Sequence, residues 1–497
     1  MAPHPPTREP SLTVGLHADT LPDLSALPRH DPYAALREPN YRFFAGGWVL
    51  ASMGLQMQGT AIAWEVYEKT HDPLALGFVG LARALPVLAL ALPAGAIVDL
   101  LDRKRILIGT QIAFAAASLA LTMGSYHNLT VWWIFALVAL TGCARVFNGP
   151  SRSSLLPQIV RPETFHNAVT WNSGVFQLSA VLGPIAAGAM IAITHSAWPV
   201  YAVAGGSCLV FAVFCTFIRP YYGERERVKG SIFAAARPSV LLPGMFEGVR
   251  HVWRDKPLFG ALTLDLMAVL LGGATALMPV YAKDILHVGP VGLGALKSAP
   301  FAGALVMALL LAHRRPFERA GRTLLLSVAG FGACTIAFGF SKLFWLSLAM
   351  LSLLGALDSI SVVIRHVLVS VRTPDRLRGR VSAVNSVFIE SSNELGGFES
   401  GALAKAAGVV LASEVKGAVF SAVSGGFGTI LVVVGMAWWL PQLRRLGRLE
   451  LPKPGGVCER CGYDLTGNTT GICPECGARI PEVEEAVEQR EETRASV

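Results

Sequence analysis

Four cysteines near the C-terminal end have the spacing of a metal site. Cys458 and Cys461 form one Cys-x2-Cys pair, eleven residues separate it from Cys473 and Cys476, and a glycine follows each pair. Four thiolates on two tight turns suit the tetrahedral coordination of Zn²⁺ and leave no open coordination position. The pattern predicts a structural zinc ribbon that folds on its metal, because so short a segment cannot bury a core. Three roles remain open for it: folding alone, sensing metal, or docking a partner protein.

Ionisable residues inside long apolar runs are a second set of candidates. Placing such a side chain in a membrane costs at least about 2.5 kcal/mol, so each one is a candidate for function. The set consists of Arg83, Asp265, Asp358, Glu390, Glu394 and Glu399. Glu390, Asn393 and Glu394 are spaced i, i+3 and i+4, so they share one face of a helix.

A carrier of protons needs a carboxyl group that gains and loses its proton in the physiological range, and burial can bring a carboxyl group into that range. Asp265 and Asp358 are the preferred candidates because each is alone in its apolar run, and Glu390 is the third. The alternative for Asp265 and Asp358 is a structural side chain that a neighbouring Ser or Thr caps.

Polar and aromatic side chains in the first apolar run are candidates to line a substrate cavity. They are Gln56, Gln58 and Trp64, and Asn393 joins them from a later run. A polar residue inside a membrane usually faces a cavity or a partner helix. Trp64 has a second interpretation, because tryptophan also anchors helices at the membrane interface.

The elements that must hold these residues are predicted membrane helices. Hydrophobic residues make up 53% of the 497 residues and charged residues 15%, whereas soluble domains have about 25% charged residues. About 20 apolar residues in a helix cross the hydrocarbon. Twelve such runs are predicted, of which the first, fifth and eleventh are the most polar. They are 42–66, 74–99, 104–125, 129–149, 168–193, 197–218, 258–283, 290–313, 322–341, 344–366, 379–405 and 416–440.

Cations in alternate loops predict the orientation of these runs. The loops after the second, fourth, sixth, eighth and tenth runs are rich in Lys and Arg, and the other loops are poor in them. Basic loops stay in the cytoplasm, so both termini are predicted to be cytoplasmic and the protein to lie in the plasma (inner) membrane. Thiols stay reduced in the cytoplasm, which favours zinc over a disulfide for the tail cysteines. The same loops explain the net charge of +8 without nucleic-acid binding.

The longest loop between runs divides them into six and six. The predicted fold is an all-α polytopic membrane protein, with twelve transmembrane helices in two six-helix bundles plus a small C-terminal zinc ribbon. In secondary transporters the substrate site lies between two such halves. The predicted segments are a cytoplasmic tail (1–40), the first bundle (41–218), a cytoplasmic linker (219–257), the second bundle (258–440), a linker (441–456), the ribbon (457–480) and a disordered acidic tail (481–497).

Several motifs resemble the major facilitator superfamily. The connection between the second and third runs resembles its cytoplasmic signature loop, through Gly95, Asp99, Arg103, Lys104 and Arg105. Leu100 and Asp102 depart from the usual residues of that loop. The stretches 52–77, 167–184 and 378–396 resemble its branch of enterobactin-exporter-like proteins and transmembrane secretion effectors. This resemblance implies a twelve-helix bundle and export.

The fifth run resembles a glycine-rich pattern that exporters of this superfamily often carry. Gly183, Pro184 and Gly188 fit the pattern, whereas Ser179 and Ala187 replace expected glycines. The resemblance favours antiport. The alternative is that these residues only allow close packing of helices.

The resemblance also implies a partner for Arg83, and the position of Arg145 at the end of the fourth run suggests one for it. In the superfamily the second and eleventh helices face each other across the boundary between halves, so Arg83 is expected to pair with Glu394 or Glu390 and to close the outer side. A static pair that fixes packing, or water as the partner, is the alternative. Arg145 is expected either to pair with Asp99 or only to mark the cytoplasmic boundary.

These observations predict a secondary active transporter that exports a small organic molecule (a siderophore, drug or metabolite) in exchange for protons, by alternating access. Importers or facilitators of the same fold are one alternative, and a receptor or scaffold that presents the zinc ribbon is another. The expected partners are the lipid bilayer, the substrate, protons and a protein that binds the ribbon, without nucleic acid. No Gly-x4-Gly-Lys-Ser/Thr motif is present, and neither an organic cofactor nor enzymatic activity is expected.

Overall fold

The computed structural model describes residues 31–221, 247–314 and 317–447, together with 472, 473 and 477. The predicted zinc ligands Cys458, Cys461 and Cys476 lie outside the described residues, so the zinc ribbon stays a prediction. Within the described ranges, no three His, Cys, Asp or Glu side chains lie together as a metal site requires.

The first six long helices follow one another through short turns. Proline in the first turn starts α1, α2, α5 and α6, where its missing N–H removes no helical hydrogen bond. Asp72 and Asp102 cap α2 and α3 by accepting hydrogen bonds from backbone N–H groups of the first turn. Asp102, which departs from the signature loop, is therefore a helix cap. The helices are α1 Pro39–Thr70, α2 Pro73–Leu100, α3 Arg103–Tyr126, α4 Val131–Ile159, α5 Pro162–Thr194 and α6 Trp198–Phe217.

The second six helices follow the linker, and the first of them is irregular. α7 Lys256–Leu271 ends at Gly272 and continues as a 3-10 turn (Gly273–Leu277), a helical turn (Met278–Val280) and a π turn (Tyr281–Ile285). The remaining helices are α8 Gly289–Ala312, α9 Ala320–Phe340, α10 Phe344–Arg372, α11 Asp375–Val410 and α12 Glu414–Trp439, followed by the short α13 Pro441–Arg444.

Ten of these helical segments, counting α7 with its extension, are long and apolar enough to cross a membrane. The other two are α1 and α11, which the sequence already marked as polar, whereas α5 is apolar enough. α4 and α5 extend well beyond the predicted bounds of 129–149 and 168–193. Hydropathy missed these extensions because helices continue past the hydrocarbon into polar sequence.

The helices pack in two groups of six whose main neighbours correspond, except that α11 packs closely on α12 whereas α5 makes few contacts with α6. In the first group α1 packs on α5 and α6, α3 packs on α4 and α6, and α2 packs on α4. In the second group α7 packs on α11 and α12, α9 packs on α10 and α12, and α8 packs on α10. Two crossings join the groups, α2 with α11 and α5 with α8. The packing therefore repeats although the sequence shows no strong repeat.

Glycines allow the helices of the second crossing to approach closely. A Cβ atom added at Gly188 of α5 would lie 2.3 Å from the carbonyl oxygen of Pro290 in α8. Likewise, a Cβ atom added at Gly294 of α8 would lie 2.3 Å from the carbonyl oxygen of Pro184 in α5. Gly183 instead faces α1, where an added Cβ would lie 2.7 Å from the Cβ of Gln56. The fifth-helix motif thus serves two helix contacts.

We expect Gly188→Ala to destabilise the protein by about 1–3 kcal/mol, because its new methyl group meets backbone that cannot rotate away. The matched control is Gly174→Ala on the same helix, where an added Cβ has no atom within 4 Å. Thermal unfolding of the purified protein in detergent should show a lower Tm for G188A and an unchanged or slightly higher Tm for G174A. Equal Tm values for the two variants would contradict the close crossing.

Candidate functional site

Polar contacts join the two groups at one end of the molecule, which we call the closed end. It carries the connections α1–α2, α5–α6, α7–α8 and α11–α12. Three pairs bridge the groups there: Tyr67 donates to Asp284, Lys283 Nζ lies 2.9 Å from Glu68 Oε2, and Lys405 Nζ lies 3.5 Å from Asp72 Oδ1. None of these residues was among the predicted site residues. Each pair joins residues of different halves, so no local sequence pattern marks it.

Two ion pairs follow toward the middle of the molecule. Arg83 Nη1 of α2 lies 3.3 Å from Glu394 Oε1 of α11, the first partner that the resemblance named. Arg145 Nη2 of α4 lies 3.5 Å from Glu390 Oε2, one turn further along α11. The side chain of Glu394 is 15% exposed and that of Glu390 is 43% exposed. The space between the groups therefore widens away from the closed end.

Lys297 of α8 belongs to the same junction and was missed in the sequence. Its Nζ donates to the backbone carbonyl of Gly59 in α1, at 3.1 Å, and it interacts electrostatically with Arg83 and Glu394. An added Cβ at Gly59 has no atom within 4 Å, so open space adjoins this point. A lone lysine in the apolar run of α8 is the same signal that singled out Arg83.

The predicted cavity residues lie in different surroundings. Gln58 is buried and accepts a hydrogen bond from Ser118 Oγ of α3 at 3.0 Å, which places it inside the first group of helices. Gln56 is half-buried against α5, and Trp64 packs on the apolar core near the closed end. Asn393 is exposed on α11, next to Glu394. Of the four, only Asn393 is exposed.

The apolar run around Asp265 suggested an isolated acid, but in the structure Asp265 has a charged partner. Arg365 of α10 directs Nη1 to Asp265 Oδ2 at 2.5 Å, and both side chains are buried. Its partner is thus an arginine and not the Ser or Thr cap of the alternative. Asp358 lines the same small cavity as Asp265, between α7, α9 and α10. Arg365 lies near the end of the tenth predicted run and was overlooked for that reason.

The cations of the signature loop hold helix ends together. Arg103 donates to a backbone carbonyl of α4, Lys104 donates to two carbonyls at the end of α6, and Arg105 pairs with the capping Asp102. The side chain of Asp99 lies outside the described part of the structure, so the expected pair of Arg145 with Asp99 stays a prediction.

The sequence is similar to those of bacterial efflux proteins. It is 27% identical over 400 residues to the multidrug efflux pump Tap of Mycolicibacterium fortuitum, a match that covers 79% of this chain and 93% of that protein. It is 25% identical over 279 residues to macrolide efflux protein A of Streptococcus pyogenes, which covers 54% of this chain and 65% of that protein. These relatives are transporters and not enzymes.

The fold is similar to those of solved transporters. A bacterial homologue of the human lysosomal transporter Spinster, in an inward-facing and unoccupied conformation, superposes with a TM-score of 0.63 at 12% identity, covering 82% of this chain and 98% of that one. At this identity the likeness concerns the fold alone. Residues 30–435 match the family described as transmembrane secretion effector. The chain is therefore an integral membrane protein that belongs to the transmembrane secretion effector family of the major facilitator superfamily.

Proposed function

We propose that this protein is a secondary active transporter that exports a small organic molecule in exchange for protons, by alternating access between two bundles of six membrane helices. All twelve long helices cross the membrane in this proposal, including the polar α1 and α11. The observation that carries it is the distribution of contacts between the two groups. Among the described residues, the bridging pairs lie between the closed end and the level of Glu390.

A polar face of α11 supports a cavity beyond that level. Ser382, Ser386, Glu390 and Asn393 follow at helical spacing, and all four are at least partly exposed. Exposing such a stripe to lipid is unfavourable, so it suits a water-filled path between the two groups. A substrate that enters this path meets Glu390, Arg145, Lys297 and the Arg83–Glu394 pair at its inner limit.

Charge in the loops supports an inward-open state with both termini in the cytoplasm. The basic connections between α2 and α3, α8 and α9, and α10 and α11 lie opposite the closed end. By the positive-inside rule that side is cytoplasmic, in the plasma (inner) membrane. The path is then open to cytoplasmic substrate. Export agrees with the relatives named as efflux proteins, and a siderophore, drug or metabolite is the proposed class of substrate.

Alternating access requires the closed end to separate, and proton binding supplies a way to do so. A proton on Glu394 or Glu390 removes the negative charge that holds Arg83 or Arg145 across the boundary. Asp265 and Asp358 are the other proposed acids, within the second bundle. Arg83, Lys297 and the closed-end pairs then act as the outer gate, and Gln56 and Asn393 line its inner side.

The cytoplasmic tail is proposed to carry a structural Zn²⁺ on Cys458, Cys461, Cys473 and Cys476. The support for this is the spacing of the four cysteines, which suits a closed tetrahedral site. The ribbon is proposed to bind a protein partner.

Transport is tested by accumulation of a labelled macrolide, and then of a wider panel of drugs, in cells with and without the protein. We expect lower accumulation in the cells with the protein, and loss of the difference when a protonophore collapses the proton gradient. A difference that survives the protonophore contradicts proton coupling. Higher accumulation in cells with the protein indicates import, and no difference for any compound favours a receptor or scaffold.

The outer gate is tested with Arg83→Gln, because glutamine cannot replace the charge that pairs with Glu394. We expect export to fall about tenfold, the effect of about 1.4 kcal/mol, with little change in Tm. In an Asn393→Cys background, R83Q should also increase labelling by an impermeant maleimide added from outside. Arg322→Gln, at an exposed position of α9, is the control. A static packing pair predicts a lower Tm and unchanged labelling.

Zinc in the tail is tested by metal analysis of the purified full-length protein. We expect about one equivalent of zinc in the wild type and none in Cys458→Ser/Cys461→Ser, because two thiolates do not hold the ion. Cys143→Ser, in α4, is the matched control and should keep its zinc. Equal zinc content in the two variants would contradict the ribbon.

A further inference from the structure

An ion pair and a second acid lie at one small cavity inside the second group of helices. Asp265 of α7 contacts Arg365 of α10 at 2.5 Å, and their side chains are 9% and 6% exposed. Asp358 of α10 lines a small cavity with Asp265, and Ser327 and Ser361 complete its polar wall. This cavity lies between α7, α9 and α10, apart from the two crossings that join the groups. It is therefore distinct from the path of the substrate.

The cluster is ordered along one face of α10. Asp358, Ser361 and Arg365 are spaced i, i+3 and i+7, which places all three on the same side of the helix. Ser361 Oγ and Arg365 Nε are buried and have no hydrogen-bond partner among the described residues. Ser361 Oγ can donate to or accept from water or a protonated carboxyl group, whereas Arg365 Nε donates and needs an acceptor such as water. The cavity beside them offers a place for one.

Charge balance requires one proton in this cluster. Two carboxylates and one guanidinium leave one negative charge without a partner, which is unfavourable for the half-buried Asp358 on a membrane helix. Arg365 already pairs with Asp265, so the uncompensated charge falls on Asp358. A proton there removes the cost. No other ionisable side chain lines the cavity among the described residues, because α9 contributes Ser327, Val328 and Phe331.

We propose that this cluster is a site for one exchangeable proton, which Asp358 carries, and that Arg365 is the positioning residue that keeps Asp265 ionised. The two acids compete for one guanidinium. When Asp358 loses its proton, Arg365 interacts with both carboxylates and its contact with Asp265 weakens. Asp265 and Asp358 are thus one coupled site and not two independent acids. The inference deepens the proposed proton-coupled export and rests on it for its biological role.

The test is infrared difference spectroscopy of the purified full-length protein in lipid nanodiscs, between alkaline and mildly acidic pH. The C=O stretching band of a buried carboxylic acid, which a carboxylate lacks, reports the proton directly. Glu390 and Glu394 can add bands of their own, so the measure is the difference from the wild type, and we expect Asp358→Asn to lose the band of one acid. Asp265→Asn should lack it as well, because Arg365 is then free to keep Asp358 ionised.

Arg365→Gln should double the band, since both acids then need a proton. If R365Q does not fold, the charge-neutral pair Asp265→Asn/Arg365→Gln replaces it and should keep the band of one acid. Glu163→Gln, at an exposed acid of α5, is the control and should match the wild type. A D358N or D265N spectrum that equals the wild-type spectrum overturns the coupled site.

Export assays in proteoliposomes separate this inference from the proposed function. If D358N loses the band but its export still follows the proton gradient, the cluster does not couple transport and the proposed function stands. If wild-type export ignores the gradient while the band behaves as expected, the proton site stands and proton-coupled export fails.

Discussion

A charge inside the hydrocarbon must find an opposite charge or water, and this constraint fixes the middle of the molecule. Arg83 meets Glu394 across the boundary between the two groups, and Arg365 meets Asp265 within the second group. Glu65 in α1 binds both Lys69 and the hydroxyl of Tyr201, at 2.8 Å each. Except for Glu65 with Lys69, which lies within α1, each of these contacts joins two helices, so charged residues that would be costly alone help determine which helices are neighbours.

The two crossings between the groups combine this polar pairing with close contact of backbones. An added Cβ at Gly80 would lie 2.7 Å from the carbonyl oxygen of Glu394, so α2 and α11 touch where Arg83 and Glu394 pair. At the other crossing, Gly188 and Gly294 allow the backbones of α5 and α8 to approach each other as closely. Small residues make a contact that can separate without leaving large apolar side chains exposed.

The sequence predicts most of the fold but only part of the site. Runs of apolar residues predict the helices because crossing a bilayer imposes a minimum length, and polarity correctly marks α1 and α11 as unusual. The pair of Arg83 with Glu394, 311 positions apart, came from a resemblance and has no local signal. Asp265 and Arg365 are 100 positions apart, so the composition of either run cannot reveal their contact. The irregular end of α7 does have a sequence signal, in Gly272, Gly273 and Pro279, but an apolar run alone does not distinguish an interrupted helix from a straight one.

The irregular end of α7 gives the two parts of one membrane segment different roles. Its regular part, up to Leu271, holds Asp265 against α10, whereas its π turn presents Lys283 and Asp284 to α1 at the closed end. A helix whose regular ladder is interrupted bends at the interruption more easily than elsewhere. The tip can therefore swing away from α1 while the buried stem stays in place. In the proposed alternating access, opening of the closed end can then start as a local hinge motion at this interruption.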